Sequence, residues 1–249
     1  MANTAPKFPY PKAPIRESVI HLAVNDVTPN DELQKLVKRF EANYPHQEPL
    51  STISVGVDNT GGSVSVDQRF DGYRITSADQ ADIMLVSSNG LAIARLAPYP
   101  GWEHLRARAN AAWADWRSHL SARTLGRVGI RYINRIDIPI SAAEPVDIDS
   151  YIGFTPRVPK FSDHQIEGYF VQVTNPTNLD YWSATITSYI ESPAPLIDHA
   201  SIVLDIDIFR TKEIPGREEE LWNMIDSVRP VKNVIFEACI TDKARKLFT

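Results

Sequence analysis

Residues 127–138 read RVGIRYINRIDI, and apolar or aromatic side chains occupy almost every second position. Successive side chains of a β-strand point to opposite faces, so this stretch predicts a strand with two different faces. One face carries the apolar residues and one amide, namely Val128, Ile130, Tyr132, Asn134, Ile136 and Ile138. The opposite face carries three arginines together with Gly129, Ile133 and Asp137, and the arginines are Arg127, Arg131 and Arg135.

The chain before this stretch is predicted to be rich in strands. Runs of β-branched and aliphatic residues predict strands at 17–25, 51–57, 69–77, 82–88 and 91–97. Asn89-Gly90, between two alternating apolar runs, predicts a tight hairpin. Residues 58–67 (DNTGGSVSVD) are rich in Gly, Ser and Asn, which is typical of a loop.

Two helices are predicted among these strands. The first follows Thr28 or Asn30, either of which is a suitable N-cap, and ends before Pro45. The second covers 102–120, where one stripe carries Trp102, Leu105, Ala109, Ala112, Trp113, Trp116 and Leu120. Because helical spacing alone explains this stripe, we expect its three tryptophans to lie in the core.

After Pro139 the pattern becomes mixed. A short helix is predicted around 147–154, followed by strands at 165–174, 181–191 and 200–210. Helices are predicted at 218–228, with Pro230 breaking or restarting the helix, and at 242–248.

These elements predict an α+β fold in which largely antiparallel sheet is packed by long helices. The proline-rich residues 1–14 are expected to form an extended N-terminal arm, and residues 15–249 a single α+β unit. The order β-α-β-β-β-α occurs twice, with FDGY (70–73) and IEGY (166–169) each opening a three-stranded meander. We therefore interpret 15–122 and 123–249 as the halves of a pseudo-duplication.

Composition limits the classes of function. The formal net charge of −5 argues against a general nucleic-acid coat or a membrane-surface protein, although a local basic face remains compatible with it. The single cysteine, Cys239, cannot form an internal disulfide, and no apolar run is long enough to span a bilayer. We expect a cytoplasmic protein without membrane contact.

Arginines are concentrated between His104 and Arg135, where seven occur without a lysine and with one acid, Asp115. They are Arg106, Arg108, Arg117, Arg123, Arg127, Arg131 and Arg135. The favoured interpretation is a set of internal ion pairs, with Asp205 and Asp207 of strand 200–210 as the expected partners. The alternatives are an anionic or nucleic-acid ligand, for which residues 104–135 would form the surface, and a protein interface.

Asn134 is the polar member of an otherwise apolar strand face. Burying its amide without a hydrogen bond costs about 1–3 kcal/mol, so a partner is expected. The partner is expected to be structural, with orientation of a ligand as the alternative. Candidate binding residues are therefore Arg127, Arg131, Asn134 and Arg135.

Motifs that carry catalysis are missing from the sequence, so catalytic residues stay unknown. The six histidines show no metal-binding spacing, and no Walker loop, GxGxxG or GxSxG is present, so neither a metal nor a cofactor is predicted. Asp205 and Asp207 form a weak alternative metal site, because alternate strand residues share a face.

Three blocks of the sequence carry a resemblance. They are Pro14, Ile15, Glu17 and Ser18 near the start, RVGIRYINRIDIP in the middle, and FEACITDKARKLF at 236–248. Together they resemble, nearly end to end, a sporadically distributed and uncharacterised family of bacterial proteins. The resemblance implies one full-length unit and supplies no catalytic residues. The family's patchy occurrence is similar to that of accessory genes, including anti-phage defence systems.

The sequence thus predicts a non-catalytic binding or adaptor protein with a protein partner or self-association. One alternative is a metal-dependent enzyme that acts on a nucleotide or phosphate ester through Asp205 and Asp207. Another is a nucleic-acid-binding protein that uses the arginines of 104–135, although the net charge disfavours it.

Overall fold

The computed structural model describes residues 10–57, 64–120, 123–140, 146–157 and 167–249, and it describes their side chains except at 53–57 and 64–69. Within these residues, nine strands form one large antiparallel sheet accompanied by helices, so the predicted α+β class is confirmed. The strands lie in the order β2-β3-β4-β5-β1-β6-β9-β8-β7.

The elements up to residue 120 are β1 (Ile15–Val24), α1 (Asn30–Arg39), β2 (His46–Val57), β3 (Val64–Thr76), β4 (Asp82–Ser87), β5 (Gly90–Leu96) and α2 (Trp102–Leu120). Those that follow are β6 (Leu125–Pro139), β7 (Phe170–Pro176), β8 (Trp182–Glu191), β9 (His199–Arg210), α3 (Glu218–Asp226), α4 (Val228–Cys239) and α5 (Asp242–Arg245). Short 3-10 helices lie at Ile148–Ser150 and Lys246–Phe248.

Two elements agree closely with their sequence patterns. Helix α2 has the predicted bounds, and the seven residues of its predicted stripe are its buried residues. Strand β6 buries the predicted apolar face and leaves its arginines partly or fully exposed. Local periodicity was sufficient in both cases, because each element packs a single face against the core.

The helix predicted around 147–154 is wrong, because only the 3-10 turn Ile148–Ser150 forms. The residues after it bond instead to the C-terminal segment. Ile152 makes an antiparallel bridge with Ile240, and the Gly153 amide donates to the Cys239 carbonyl at 2.9 Å. Tertiary contacts thus replace the helical hydrogen bonds.

The predicted caps of α1 are also wrong, since Pro29 occupies the N-cap position and makes no side-chain cap bond. The Thr28 hydroxyl accepts from Arg123 at 2.9 Å, and the Asn30 amide oxygen accepts from the Tyr73 hydroxyl at 3.5 Å. Both side chains therefore bond outside the helix.

Three strands start five residues away from the predicted position. Strand β2 starts earlier, at His46, and β3 starts at Val64, inside the predicted loop. Strand β7 starts at Phe170 rather than at 165. Residues 58–63 of the predicted loop and 165–166, at the start of the predicted second meander, lie outside the described residues.

The predicted hairpin joins β4 to β5, with Ser87 paired to Gly90 across a turn at Ser88 and Asn89. Gly90 has φ +147°, a conformation that favours glycine. A Cβ at this position would lie 2.1 Å from the backbone oxygen of Leu22. The turn therefore requires glycine at the point where β5 approaches β1.

The chain divides into two compact units. One comprises Val19–Leu96 and Gly101–Val128, and in it α1 contacts α2, β3 and β4 while α2 contacts β5. The other comprises Met1–Ser18, Ala97–Pro100 and Gly129–Thr249, and in it α4 contacts α3 and β9. These bounds differ from the predicted halves 15–122 and 123–249, and the pseudo-duplication stays a prediction.

Residues 1–9 of the predicted arm lie outside the described residues, whereas Tyr10 contacts the C-terminal segment. Its hydroxyl donates to Glu237 at 2.6 Å, and its ring packs edge-on against Phe248 with centroids 5.4 Å apart. Burial, followed by the bond to Glu237, raises the pKa of Tyr10 to about 12.

The described sheet ends at β2 on one side and at β7 on the other. Strand β2 carries the charged Glu48 and the proline Pro49, which pairs with Tyr73 of β3. Charge and proline are both typical of a strand edge that is protected against pairing with further strands.

We expect Gly90→Ala to lower the free energy of unfolding by about 2–4 kcal/mol, because the new methyl group meets backbone rather than a movable side chain. Gly168→Ala is the matched control, since a Cβ there meets nothing within 4 Å. Urea titrations of both variants measure the effect, and equal midpoints would contradict this account of the hairpin.

Candidate functional site

The central arginine of β6 forms a two-pronged ion pair with β9. The Arg131 Nε atom donates to both oxygens of Asp205, at 2.9 and 3.0 Å, and Nη2 donates to Oδ2 at 2.5 Å. The Asp205 side chain is 12% exposed and that of Arg131 is 49% exposed. The predicted cross-strand pair between these residues is confirmed, with a carboxylate that is nearly buried beneath its guanidinium.

The surroundings of Arg131 are acidic. Its pKa is raised chiefly by the hydrogen bonds to Asp205, and the charges of Asp205, Asp207 and Glu17 raise it further. Three carboxylates thus surround one guanidinium. A phosphate approaching this face would meet net negative charge, which disfavours the nucleic-acid interpretation.

The same sheet face continues as rows of polar side chains. Thr187 of β8 pairs with Asp205, and Gln172 of β7 pairs with Thr187 and donates to its hydroxyl at 2.9 Å. In the next row the hydroxyls of Thr174 and Thr185 lie 2.8 Å apart. Cross-strand pairs of this kind stabilise the sheet and explain the polarity of this face without a ligand.

Arg127 lies four residues before Arg131 on the same face of β6, and it contacts a histidine. Its Nη1 lies 2.9 Å from Nδ1 of His21 on β1. Burial, and then the charge of Arg127, lower the pKa of His21 to about 4. His21 is therefore neutral near pH 7, and its ring nitrogen accepts the hydrogen bond from the guanidinium.

Arg135 forms its ion pair within its own strand. Its Nε lies 3.1 Å from the nearer carboxylate oxygen of Asp137, and Asp137 also accepts from the Ser201 hydroxyl at 2.6 Å. The predicted pairing of Arg135 with Asp205 or Asp207 of β9 is wrong. Residues two apart on a strand share a face, so Arg135 pairs with Asp137 of its own strand.

Asn134 makes structural hydrogen bonds. It is 3% exposed, and its amide donates to the Leu204 carbonyl of β9 at 3.0 Å and more weakly to the Tyr132 carbonyl at 3.4 Å. The amide thus ties β6 to β9 inside the apolar layer. This geometry supports the structural interpretation of Asn134 over the ligand-orienting one.

The alternative metal site gains no support. One of its two acids, Asp205, is already engaged by Arg131. Across the described ranges, no group of three or more histidine, cysteine, aspartate or glutamate side chains is placed to hold a metal ion. Cys239 is free and buried, and burial raises the pKa of its thiol to about 11.

A pocket of about 300 Å³ opens in the other compact unit, beside helix α2. It is lined by residues from the segment that follows α1, from the β3–β4 connection, from β4 and from α2. These residues are Phe40, Asn43, Tyr44, Ser77, Asp82, Met84, Arg108, Ala111, Ala112 and Asp115. Its volume is at the lower end of the range for small-molecule sites.

One wall of this pocket is a fixed polar network centred on Arg108. The Nη1 atom lies 2.7 Å from Asp82 Oδ1 and donates to the Ala94 carbonyl at 3.0 Å. Nε and Nη2 donate to the Tyr44 hydroxyl at 3.2 and 2.5 Å, and the guanidinium carbon lies 5.6 Å from the centre of the Tyr44 ring. The arginine is therefore held in one orientation.

Further charges balance the carboxylates of the pocket. Asp82 also contacts Arg95 at 3.2 Å and His104 at 3.4 Å. At the rim, Asp115 of α2 lies 3.5 Å from Arg39 of α1. Each carboxylate in the pocket wall thus has a guanidinium within 4 Å, and the wall carries no unpaired negative charge.

The sequence pointed to only part of this site. Arg108 is one of the clustered arginines, whereas no role was predicted for Asp82 or Tyr44. The three residues come from α2, the first position of β4 and the turn after α1. An arginine on the edge of an apolar helix stripe is the one sequence signal that pointed here, because such a side chain needs a buried partner.

Comparison with known proteins finds no matching protein family and no matching curated protein. Among the helices of the described residues, none has the length and apolar character needed to cross a membrane.

We expect a double-mutant cycle of Arg131→Met and Asp205→Asn to give a coupling free energy of about 1–2 kcal/mol, because the single Arg131 change leaves a nearly buried carboxylate unpaired. The exposed pair Arg217 and Glu220 is the control and should couple by less than about 0.5 kcal/mol. Urea unfolding measures both cycles. Equal coupling in the two would show that Arg131 is not a structural residue.

His21 should make stability depend on pH. Its pKa is about 4 when folded and near 6.5 when unfolded, so the unfolded chain binds the extra proton as pH falls through this window. Up to about 3 kcal/mol of stability is present above pH 6.5 and is lost towards pH 4.

The variant His21→Asn should flatten this dependence in urea titrations between pH 4 and pH 6.5. His46→Asn, at an exposed position, serves as the control and should leave the slope unchanged. A wild-type slope in the His21 variant would show that another group titrates.

Proposed function

We propose that this chain is a non-catalytic binding protein whose ligand is a small molecule held in the pocket beside α2. The observation that carries the proposal is the fixed Tyr44–Arg108–Asp82 network in the pocket wall. A preformed wall loses little conformational entropy when a ligand binds, which favours recognition. The location agrees with the expectation that the partner contacts residues 104–135, because α2 supplies one side of the pocket.

The lining indicates the chemistry of the ligand. Phe40, Met84 and Ala112 are buried apolar side chains, and they offer a surface for an apolar body. At the mouth, the Asn43 side chain is exposed and makes no hydrogen bond with the described part of the chain. Since the wall carboxylates are paired with guanidinium groups, the best fit is an uncharged molecule with an apolar ring and a polar edge.

The internal partners of the arginines disfavour nucleic-acid recognition as the function. Arg108, Arg123, Arg127, Arg131 and Arg135 each have an internal partner, and Arg123 lies 3.7 Å from Glu32. A surface that follows a phosphate backbone needs guanidinium groups that can exchange their partners for phosphate. Here each exchange would break a bond of the fold.

The setting of the protein belongs to the same proposal. We propose a cytoplasmic location, which the free and buried Cys239 supports. A role in a bacterial accessory or defence system depends on the resemblance of the three sequence blocks alone. Such a role would make the pocket a sensor or carrier site rather than a catalytic one.

Blocking the pocket tests the proposal. Ala111 lines the pocket from the exposed side of α2, so Ala111→Trp should fill it without disturbing the core, whereas Ala114→Trp adds the same side chain on the same helix outside the pocket. Saturation-transfer NMR with a set of single-ring heteroaromatic amides should detect binding to the wild type and to Ala114→Trp. The signals should disappear with Ala111→Trp.

Two results would overturn the proposal. One is that the wild type binds none of these probes. The other is that Ala111→Trp binds them as well as Ala114→Trp does, because the probes would then occupy another surface.

A further inference from the structure

Strand β7 is an exposed edge strand without charge. Its sequence FVQVTNP contains no charged residue, and all of its residues except the half-buried Val171 are exposed. Phe170 is 67% exposed and Val173 is 38% exposed. Both lie on β7, the last strand of the described sheet. Edges of this kind pair readily with a further strand.

The backbone of β7 is oriented for such pairing. The Thr177 amide donates to the Trp182 carbonyl at 2.8 Å, and the Ile190 amide donates to the Tyr169 carbonyl. In an antiparallel pair every second residue bonds to the neighbouring strand, so the odd-numbered positions of β7 face β8. Phe170, Gln172 and Thr174 therefore direct their N–H and C=O groups away from the sheet.

The opposite edge differs in this respect. Strand β2 carries Glu48 and Pro49 within its length, whereas the one proline of β7, Pro176, is its last residue. At this even-numbered position the missing N–H would point outward, so Pro176 breaks no bond to β8. Strand β7 thus lacks the charge and the internal proline of β2, and Pro176 removes an outward-facing N–H only at the end of the strand.

We propose that β7 pairs antiparallel with β7 of a second copy of this chain, about a twofold axis at Val173. In this register the outward-facing residues occupy the hydrogen-bonded positions. Gln172 and Thr174 exchange two bonds, whereas Pro176 has no N–H and only accepts a bond from Phe170. The pairs between the two copies are Val173 with Val173, Gln172 with Thr174, Val171 with Asn175, and Phe170 with Pro176.

The side chains of this register complement one another. On one face the Gln172 amide meets the Thr174 hydroxyl, and the Phe170 ring meets Pro176. On the other face the two Val173 side chains meet at the axis. The absence of charge on β7 means that no like charges are opposed, although each copy carries a net charge of −5. A seven-residue pairing is a small interface, so micromolar affinity is expected.

Analytical ultracentrifugation from low to several hundred micromolar protein tests the pairing. The wild type should show a reversible monomer–dimer equilibrium. Val173→Lys places two ammonium groups opposite each other at the axis and should raise the dimer Kd about tenfold or more. Val234→Lys, at an exposed valine of α4, is the matched control and should leave the equilibrium unchanged.

Cross-linking tests the register and does not depend on the behaviour of the lysine variant. Val173→Cys places two thiols at a non-hydrogen-bonded pair, where Cβ atoms lie about 4.5–5.5 Å apart, so oxidation should give a disulfide-linked dimer. Asn175→Cys lies on the same strand face, but it would be about 13 Å from its counterpart and should not cross-link.

A wild type that stays monomeric throughout, an equilibrium that Val173→Lys leaves unchanged, or stronger cross-linking of Asn175→Cys would each overturn the proposal. Strand β7 and the pocket belong to different compact units, and the pocket test uses substitutions on α2. Failure of either proposal is therefore distinguishable from failure of the other.

Discussion

The side chains of β6 alternate between an apolar layer and a polar face. This alternation determines the face of the sheet on which each charged side chain of β6 lies. Ile130, Tyr132 and Asn134 are buried on one face of β6, and Arg131 therefore lies on the opposite, polar face. Its guanidinium lies against the adjacent strand, where Asp205 is nearly buried. Removing water from that carboxylate is tolerable only because the guanidinium binds it through two nitrogens.

The same requirement recurs wherever an arginine lies near the core. Arg108 lies beside the apolar stripe of α2 and binds Asp82 and the Tyr44 hydroxyl. Arg127 donates to the neutral His21. Arginine suits these places because its planar group makes several bonds at fixed angles. The clustering in sequence thus reflects a series of separate structural bonds in two units.

Local sequence was enough to predict α2, β6 and the β4–β5 hairpin, because each is specified by periodicity or turn chemistry within its own residues. It failed around 147–154, where Ile152 bonds to Ile240, a residue far along the chain. The Arg131–Asp205 pair was predictable because strand alternation fixed the face of both residues. The pocket was not, since Tyr44 and Arg108 are 64 residues apart and their meeting depends on how α1 packs on α2.

Pro49 in β2 limits assembly in which the sheets of successive molecules join edge to edge. A proline offers no amide hydrogen, and the adjacent Glu48 would have to lose water on contact with an incoming strand. Growth in which the open edge of one molecule joins the opposite edge of the next is therefore disfavoured. If two copies pair through β7, the assembly would therefore stop at the pair, because the remaining β2 edges do not favour addition of further copies.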